Sequence, residues 1–300
     1  MLVIAGHVLR GSTFLEIPEC AALEKWIYTF HMPLFIFLSG YFSRKKDSKD
    51  FPASIWKLLE PLIIYHVIGL SIDSIYHGTI SLNSLLTPWW ILWYLLCLIY
   101  WRLMIQFIPD KIINNTTLII ITTLIVNIVA GYIPFFSIFA IWKTLIFMPY
   151  FFLGYCMKDK SLFLPNKYKP ICLLFIITTL VIAFFFPQFL ISLTPGEPYG
   201  KILNFCIVFL ISIAFINICP TSSWIAKQGR FTMQYFIYHG FILLPLFVII
   251  RFLNLPISLL SAIIYTILVT LLLGIASYLP YFDKLTNPST LIKKIKNEDK

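Results

Sequence analysis

Apolar segments long enough to cross a bilayer recur along almost the whole chain, and they settle the solvent before they settle the fold. A membrane helix needs roughly 20 mostly apolar residues. Such stretches run Trp26–Phe42, Ile55–Tyr76, Trp90–Ile108, Thr117–Tyr132, Ile138–Met157, Ile171–Phe186, Lys201–Cys219, Phe231–Phe252 and Ile257–Leu279. Met1–His7 reads as the tail of a helix that precedes them. The expected fold is all-α: a polytopic membrane helix bundle of about ten transmembrane helices, the first of them truncated. Composition agrees, because only 12% of residues are charged and 59% are hydrophobic. A soluble domain carries roughly 25% charged residues, and this chain has too few to cover a water-facing surface.

The net charge of +10 follows from topology rather than from a nucleic-acid partner. Of the 23 Lys and Arg residues, 18 fall in one alternate set of loops and helix ends, including Arg44, Lys45, Lys46, Lys49, Lys158, Lys160, Lys293 and Lys294. The other set holds five: Arg10, Lys25, Lys143, Lys201 and Arg251. The positive-inside bias makes the richer set cytoplasmic. Both termini then lie inside a plasma-membrane protein with an even number of spans, which requires the stub before His7. Trp26, Trp89, Trp90 and Trp142 fall at the outer interface, where aromatic belts form. Loops are short. One membrane domain is therefore expected over residues 1–285, followed by a basic cytoplasmic tail over 286–300. Membrane lipids are the expected surroundings. No basic leader precedes the apolar Met1–His7 stretch, so no cleavable signal peptide is expected.

Helix breakers fall inside the apolar segments at Pro33, Pro61, Pro149 and Pro245. Membrane helices tolerate such kinks when neighbours satisfy the freed carbonyls. The six cysteines form no CxxC pair, and five lie in apolar runs. They read as buried thiols, with no disulfide framework and no metal site. Walker, GxSxG, HExxH and dinucleotide motifs are absent, which excludes those enzyme classes.

Ionisable groups inside a membrane are costly, and so they are functional candidates. His7 closes the first stub. His31 lies roughly a turn and a half below the outer interface, by a rise of about 1.5 Å per residue. Both belong to the outer half of the bilayer, and a neutral imidazole there could serve as general base towards a sugar hydroxyl. Position alone favours reading each as a buried, hydrogen-bonded packing residue. His239 lies midway along its helix. Asp73, near an outer helix end, could orient a histidine or bind a hydroxyl, or simply reach water. Arg102 reads as snorkelling to the cytoplasmic face. The Arg44, Lys45, Lys46 cluster suits anionic lipid headgroups, or the phosphates of a nucleotide-like acyl donor.

The segment Phe30-His31-Met32-Pro33-Leu34-Phe35-Ile36-Phe37-Leu38-Ser39-Gly40-Tyr41-Phe42 resembles the acyltransferase 3 family of membrane acyltransferases. Further matches follow in family order. They are Gly6-His7 before it, then Trp90-Ile91-Leu92-Trp93-Tyr94-Leu95, Met148-Pro149-Tyr150-Phe151-Phe152-Leu153-Gly154-Tyr155 and Tyr235-Phe236-Ile237-Tyr238-His239. The branch it looks most like is the fucose 4-O-acetylase-like group.

The resemblance implies transfer of an acyl group, usually acetyl, from a cytoplasmic acyl-CoA to a hydroxyl of a surface or secreted glycan. Acyl-CoA is then a co-substrate rather than a bound cofactor. The family's catalytic histidine corresponds to His7. Its basic motif after the second helix is matched loosely by Arg44, Lys45 and Lys46, which would meet the donor. His31, Trp93 and Tyr94 are candidate oxyanion donors or acceptor-site residues, and His239 and Asp73 are further candidates for acceptor contacts. The family often places an arginine about ten residues before the histidine, whereas this chain starts six residues before it. An inactive, N-terminally truncated acyltransferase is therefore an alternative expectation. A transporter of glycan intermediates is another, since kinked helices and intramembrane histidines also suit a permeation path.

Overall fold

The computed structural model describes residues 1–11, 13–79, 81–186 and 201–286. Of the tail expected over 286–300, all but Thr286 lies outside the described residues. Ten helices of eight or more residues follow one another among the described residues, and none of these residues is in a strand. They are α1 (Leu2–Leu9), α2 (Pro18–Tyr41), α3 (Phe51–His77), α4 (Trp93–Phe107), α5 (Thr116–Gly131), α6 (Ile141–Cys156), α7 (Lys169–Phe185), α8 (Lys201–Ile218), α9 (Thr232–Phe252) and α10 (Leu259–Ser277). A seven-residue helix, α11 (Pro280–Thr286), follows.

Each apolar segment read from the sequence has become a helix. The largest boundary change is in α2, which begins at Pro18 rather than at Trp26. Proline opens the helix and Glu19 sits in its first turn, both favoured at a helix N-terminus. Apolarity marked the lipid-facing stretch and not the whole helix. Pro33, Pro61, Pro149 and Pro245 all lie inside helices.

Six stretches are long and apolar enough to cross a membrane: Phe51–Ile75, Trp90–Phe107, Ile138–Cys156, Asn166–Phe185, Thr232–Phe252 and Leu259–Ser277. Thr116–Gly131 and Ile202–Ile218 are apolar but shorter. Sixteen residues rise about 24 Å, short of a hydrocarbon core of roughly 30 Å. Many apolar side chains on α7 and α10 are exposed, Ile171, Leu174, Leu260 and Leu271 among them. That pattern fits lipid as solvent.

The chain divides into two compact units. One comprises Met1–Glu24, Ile63–Tyr65 and Pro220–Lys300, and the other Lys25–Leu62 and His66–Cys219. In the first, α1 packs on α10 and α9, and α11 packs on the same two helices. Phe14 meets the edge of the Tyr265 ring. In the second, α5 packs on α6, α8 on α7 and α4 on α6. Asn127 of α5 donates through Nδ2 to the Ile146 carbonyl, one turn before Pro149, where the helix ladder is interrupted.

Within the second unit α2 and α6 meet backbone to backbone. A Cβ on Gly40 would overlap the Phe151 carbonyl oxygen, and a Cβ on Gly154 would overlap that of Phe37. Small residues permit this approach between membrane helices, where dispersion and close contact replace a hydrophobic drive. Gly40→Ala and Gly154→Ala are each expected to destabilise the protein by about 1–3 kcal/mol or more. Thermal unfolding of the detergent-solubilised protein measures this, and a melting temperature unchanged by either substitution would contradict the crossing.

Candidate active site

In the first unit, two histidines from opposite ends of the chain come together. α1 buries Ile4, Gly6, Val8 and Leu9 and leaves His7 half-buried. His239 of α9 is fully buried. Their ring centroids are 5.2 Å apart, with the planes tilted by 31°. His239 Nδ1 lies 2.9 Å from the Tyr235 carbonyl oxygen. A carbonyl oxygen has no proton to give, so Nδ1 donates. The neutral ring then carries its lone pair on Nε2.

His31 belongs to the second unit and is 3% exposed. Its Nδ1 donates to the Ile27 carbonyl at 2.8 Å, which again makes Nε2 the basic nitrogen of the neutral ring. The Tyr28 ring meets it edge-on at 4.6 Å. The two base candidates from the sequence are therefore in separate units, and the histidine beside His7 is His239. Their proximity was not visible in the sequence, where each stood alone on its own helix.

Tyr94, buried in α4, bonds Ser39 Oγ at 2.6 Å. Ser39 donates its own proton to the Phe35 carbonyl, so the tyrosine hydroxyl is the donor to Ser39. Trp93 stacks on Phe147 at 5.4 Å, and the Lys143 ammonium stands 4.5 Å from its ring centroid. Asp73 accepts from Trp89 Nε1 at 3.0 Å. His66 accepts from the Trp89 backbone N–H through Nδ1 and donates through Nε2 to the Leu85 carbonyl. Gly69 leaves room for the Trp89 ring. His66, Gly69 and Asp73 recur at helical spacing, so one face of α3 holds Trp89.

The second unit also contains a basic cavity of about 460 Å³. It is walled by the end of α2, the start of α3 and the last turns of α4, and Arg44, Lys46, Lys57 and Arg102 line it with one carboxylate, Asp50. Ser43 and Ser54 add hydroxyls, and Phe42, Phe51 and Ile105 add apolar wall. The first turn of α3 opens on it, and the backbone N–H groups of a helix N-terminus favour an anion.

The cations differ in how far they are committed. Arg44 donates to the Tyr41, Ser43 and Lys158 carbonyls and pairs with Asp159 at 3.5 Å. Lys45 faces elsewhere, ion-paired with Asp110 and bonded to the Ile108 carbonyl. Gln106 clamps the Lys46 backbone with two hydrogen bonds, while the Lys46 side chain lines the cavity. Lys46, Lys57 and Arg102 make no ion pair among the described residues. The sequence singles out Arg44, Lys45 and Lys46 but not Lys57, and Arg102 reads there as snorkelling to the cytoplasmic face. The missed signal was position along the chain: Arg44 follows the end of α2, Lys57 lies in the second turn of α3, and Arg102 lies near the end of α4, where successive antiparallel helices would share one side.

Among the described residues, no group of three or more His, Cys, Asp or Glu side chains could hold a metal ion, and all six cysteines are free.

Apolar helices of spanning length, with imidazoles buried among them and cations gathered at helix ends, define an integral membrane protein with chemistry-bearing groups inside its bundle. The model of the acyltransferase domain of the acyltransferase 3 family matches residues 1–278. The chain belongs to that family and is a membrane acyltransferase. No curated protein and no solved structure matches it.

The contacts of His66 separate a structural histidine from the reactive candidates. Both its nitrogens are committed to backbone groups, each bond contributing about 0.5–1.5 kcal/mol. His66→Ala is expected to lower stability by about 1–2 kcal/mol while leaving kcat of the folded fraction unchanged. A large fall in kcat at constant melting temperature would assign it a chemical role instead.

Proposed function

We propose that this protein moves an acyl group, acetyl foremost, from a cytoplasmic acyl-CoA to a hydroxyl of a cell-surface or secreted glycan. It would act as a plasma-membrane enzyme of the fucose 4-O-acetylase-like branch, with ten spans and both termini cytoplasmic. The observation that carries the reading is the His7–His239 pair, which sets the family's matching histidine beside a second, fully buried imidazole.

The chemistry is compact. The acceptor hydroxyl oxygen attacks the thioester carbonyl carbon while a histidine nitrogen takes its proton. The tetrahedral oxyanion collapses, the carbon–sulfur bond breaks, and the departing thiolate takes up the proton held by the imidazolium. His7 is the base in this reading, because it is only half-buried and can meet an acceptor. His239, fully buried, orients it. His31 is the alternative base, since its neutral ring also presents Nε2 as the basic nitrogen.

The donor's phosphates are assigned to the basic cavity. Its volume of about 460 Å³ falls in the range of ligand pockets, about 300–1,000 Å³. Lys46, Lys57 and Arg102 supply charge that is tied up in no ion pair among the described residues. Arg44 braces the wall as well as lining it, whereas Lys45 is held by Asp110.

Membranes containing the protein are expected to consume acetyl-CoA and acetylate a glycan. His7→Ala should lower kcat by about 10²–10⁴-fold, the contribution of a general base, with donor KM little changed. His239→Ala should leave a larger residual activity. Full turnover by the His7 variant with loss in His31→Ala would move the base to His31. Glycan movement across proteoliposomes without any acyl donor would replace the enzyme reading with that of a transporter. Lys57→Gln and Arg102→Gln should each raise donor KM by about tenfold, as befits the loss of a charge-assisted contact. Lys45→Gln should leave donor KM within about twofold, the scale of an exposed ion pair. The opposite ranking would place the donor against Lys45.

A further inference from the structure

The helix that carries His239 is gripped on another side by a hydroxyl chain ending in α11. Tyr65 and Tyr238 hydroxyls are in hydrogen-bond contact at 2.5 Å. Tyr65 also reaches the Leu285 carbonyl at 3.2 Å. The carbonyl can only accept, so the protons run in one direction: Tyr238 donates to Tyr65, and Tyr65 donates to Leu285. Thr286 Oγ1 lies 3.4 Å from the Tyr238 hydroxyl and is 2.8 Å from the Phe282 carbonyl. Phe282 packs on the Tyr238 ring at 4.6 Å, and Thr286 is 1% exposed. All these residues belong to the first unit. The α11 residues also lie beyond the 1–278 stretch that the family model matches.

We propose that Tyr65, Tyr238 and α11 form a clamp that sets the rotation of α9, and so holds His239 against His7. Successive side chains on a helix diverge by about 100° at 3.6 residues per turn. Fixing Tyr238 in one direction therefore fixes where His239 points in another. The clamp is placed where α9 most needs one. Pro245 lies inside α9 and cannot bond the Phe241 carbonyl, so the helix is softened one turn past His239. Tyr65 packs on Phe241 too, ring centroids 5.5 Å apart. Tyr65, Tyr238 and Thr286 are positioning residues in this account, since their described contacts are with one another, with Phe241, Phe282 and the carbonyls of α11, and none is with His7.

This inference rests on the reading of the His7–His239 pair, and the experiment separates the two. Tyr65→Phe and Thr286→Val remove hydroxyls with little change of shape. Each is expected to lower kcat for glycan acetylation about tenfold with donor KM unchanged, because small displacements of a catalytic group are costly. The amount of monodisperse protein in detergent should stay at wild-type level. The deciding measurement is a double-mutant cycle with His239→Ala: if the clamp acts through His239, Tyr65→Phe should cause no further loss in that background. Additive losses would overturn the clamp, as would unchanged kcat in both single variants. If His239→Ala itself kept full activity, the reading of the histidine pair would fail, and the clamp with it. A loss of kcat that merely tracks a loss of folded protein would assign Tyr65 to stability alone.

Discussion

Every polar group in this protein that faces its interior must find a partner within the protein, because lipid offers none. That constraint shapes the buried side-chain bonds. Ser39, Ser43, Ser212, Thr123, Thr266 and Thr270 each return their hydroxyl proton to a carbonyl four residues back. Asn217 fills its amide by holding Leu162 and Leu164, from the segment between α6 and α7, together with Ile213 of its own helix. Asn127 and Trp101 do the same between helices, donating to Ile146 and Thr144. A polar residue here is first a crosslink, and reactivity must be argued beyond that.

The same constraint explains why the motif segments are built as they are. Phe30–Phe42 and Met148–Tyr155 are apolar enough to sit in lipid, yet each carries a glycine at the point where the other helix passes. With no water to expel, close backbone contact and stacked rings supply the attraction. Trp101 on Phe151 and Phe37 against Phe209 surround the Gly40–Gly154 crossing with aromatic surface. The Phe30–Phe42 segment is a packing device at Gly40 and, through His31 and Ser39, also a carrier of polar groups.

The helices were legible because lipid imposes one signal, length and apolarity, that no tertiary contact overrides. Proline positions were equally plain. The helix ends were less so: the first turns of α2 bear Glu19 and Glu24 and look like loop by hydropathy. The site was legible only as a set of polar residues in apolar places. Nothing local in Gly6-His7 or Tyr238-His239 shows that the two rings meet, and nothing local in Lys45 and Lys57 shows which one lines a cavity. Asp110 decides the first, and it lies on a different stretch of chain. Charges at one bilayer depth were visible, while the ion pairs that subtract from them depended on the fold.

Histidine illustrates how far backbone geometry can then specify chemistry. At His31 and His239 the residue four positions back offers its carbonyl to Nδ1, a spacing inherent in the helix. Both rings are thereby set in one tautomer, with Nε2 as the basic nitrogen. His66 is set the other way, because Leu85 and Trp89 approach it from outside the helix. Its Nδ1 is an acceptor already engaged, so no lone pair is left for a proton in flight. Of these three helix-borne imidazoles, two therefore hold the tautomer in which Nε2 is the proton acceptor. Of those two, it is His239 that stands beside His7.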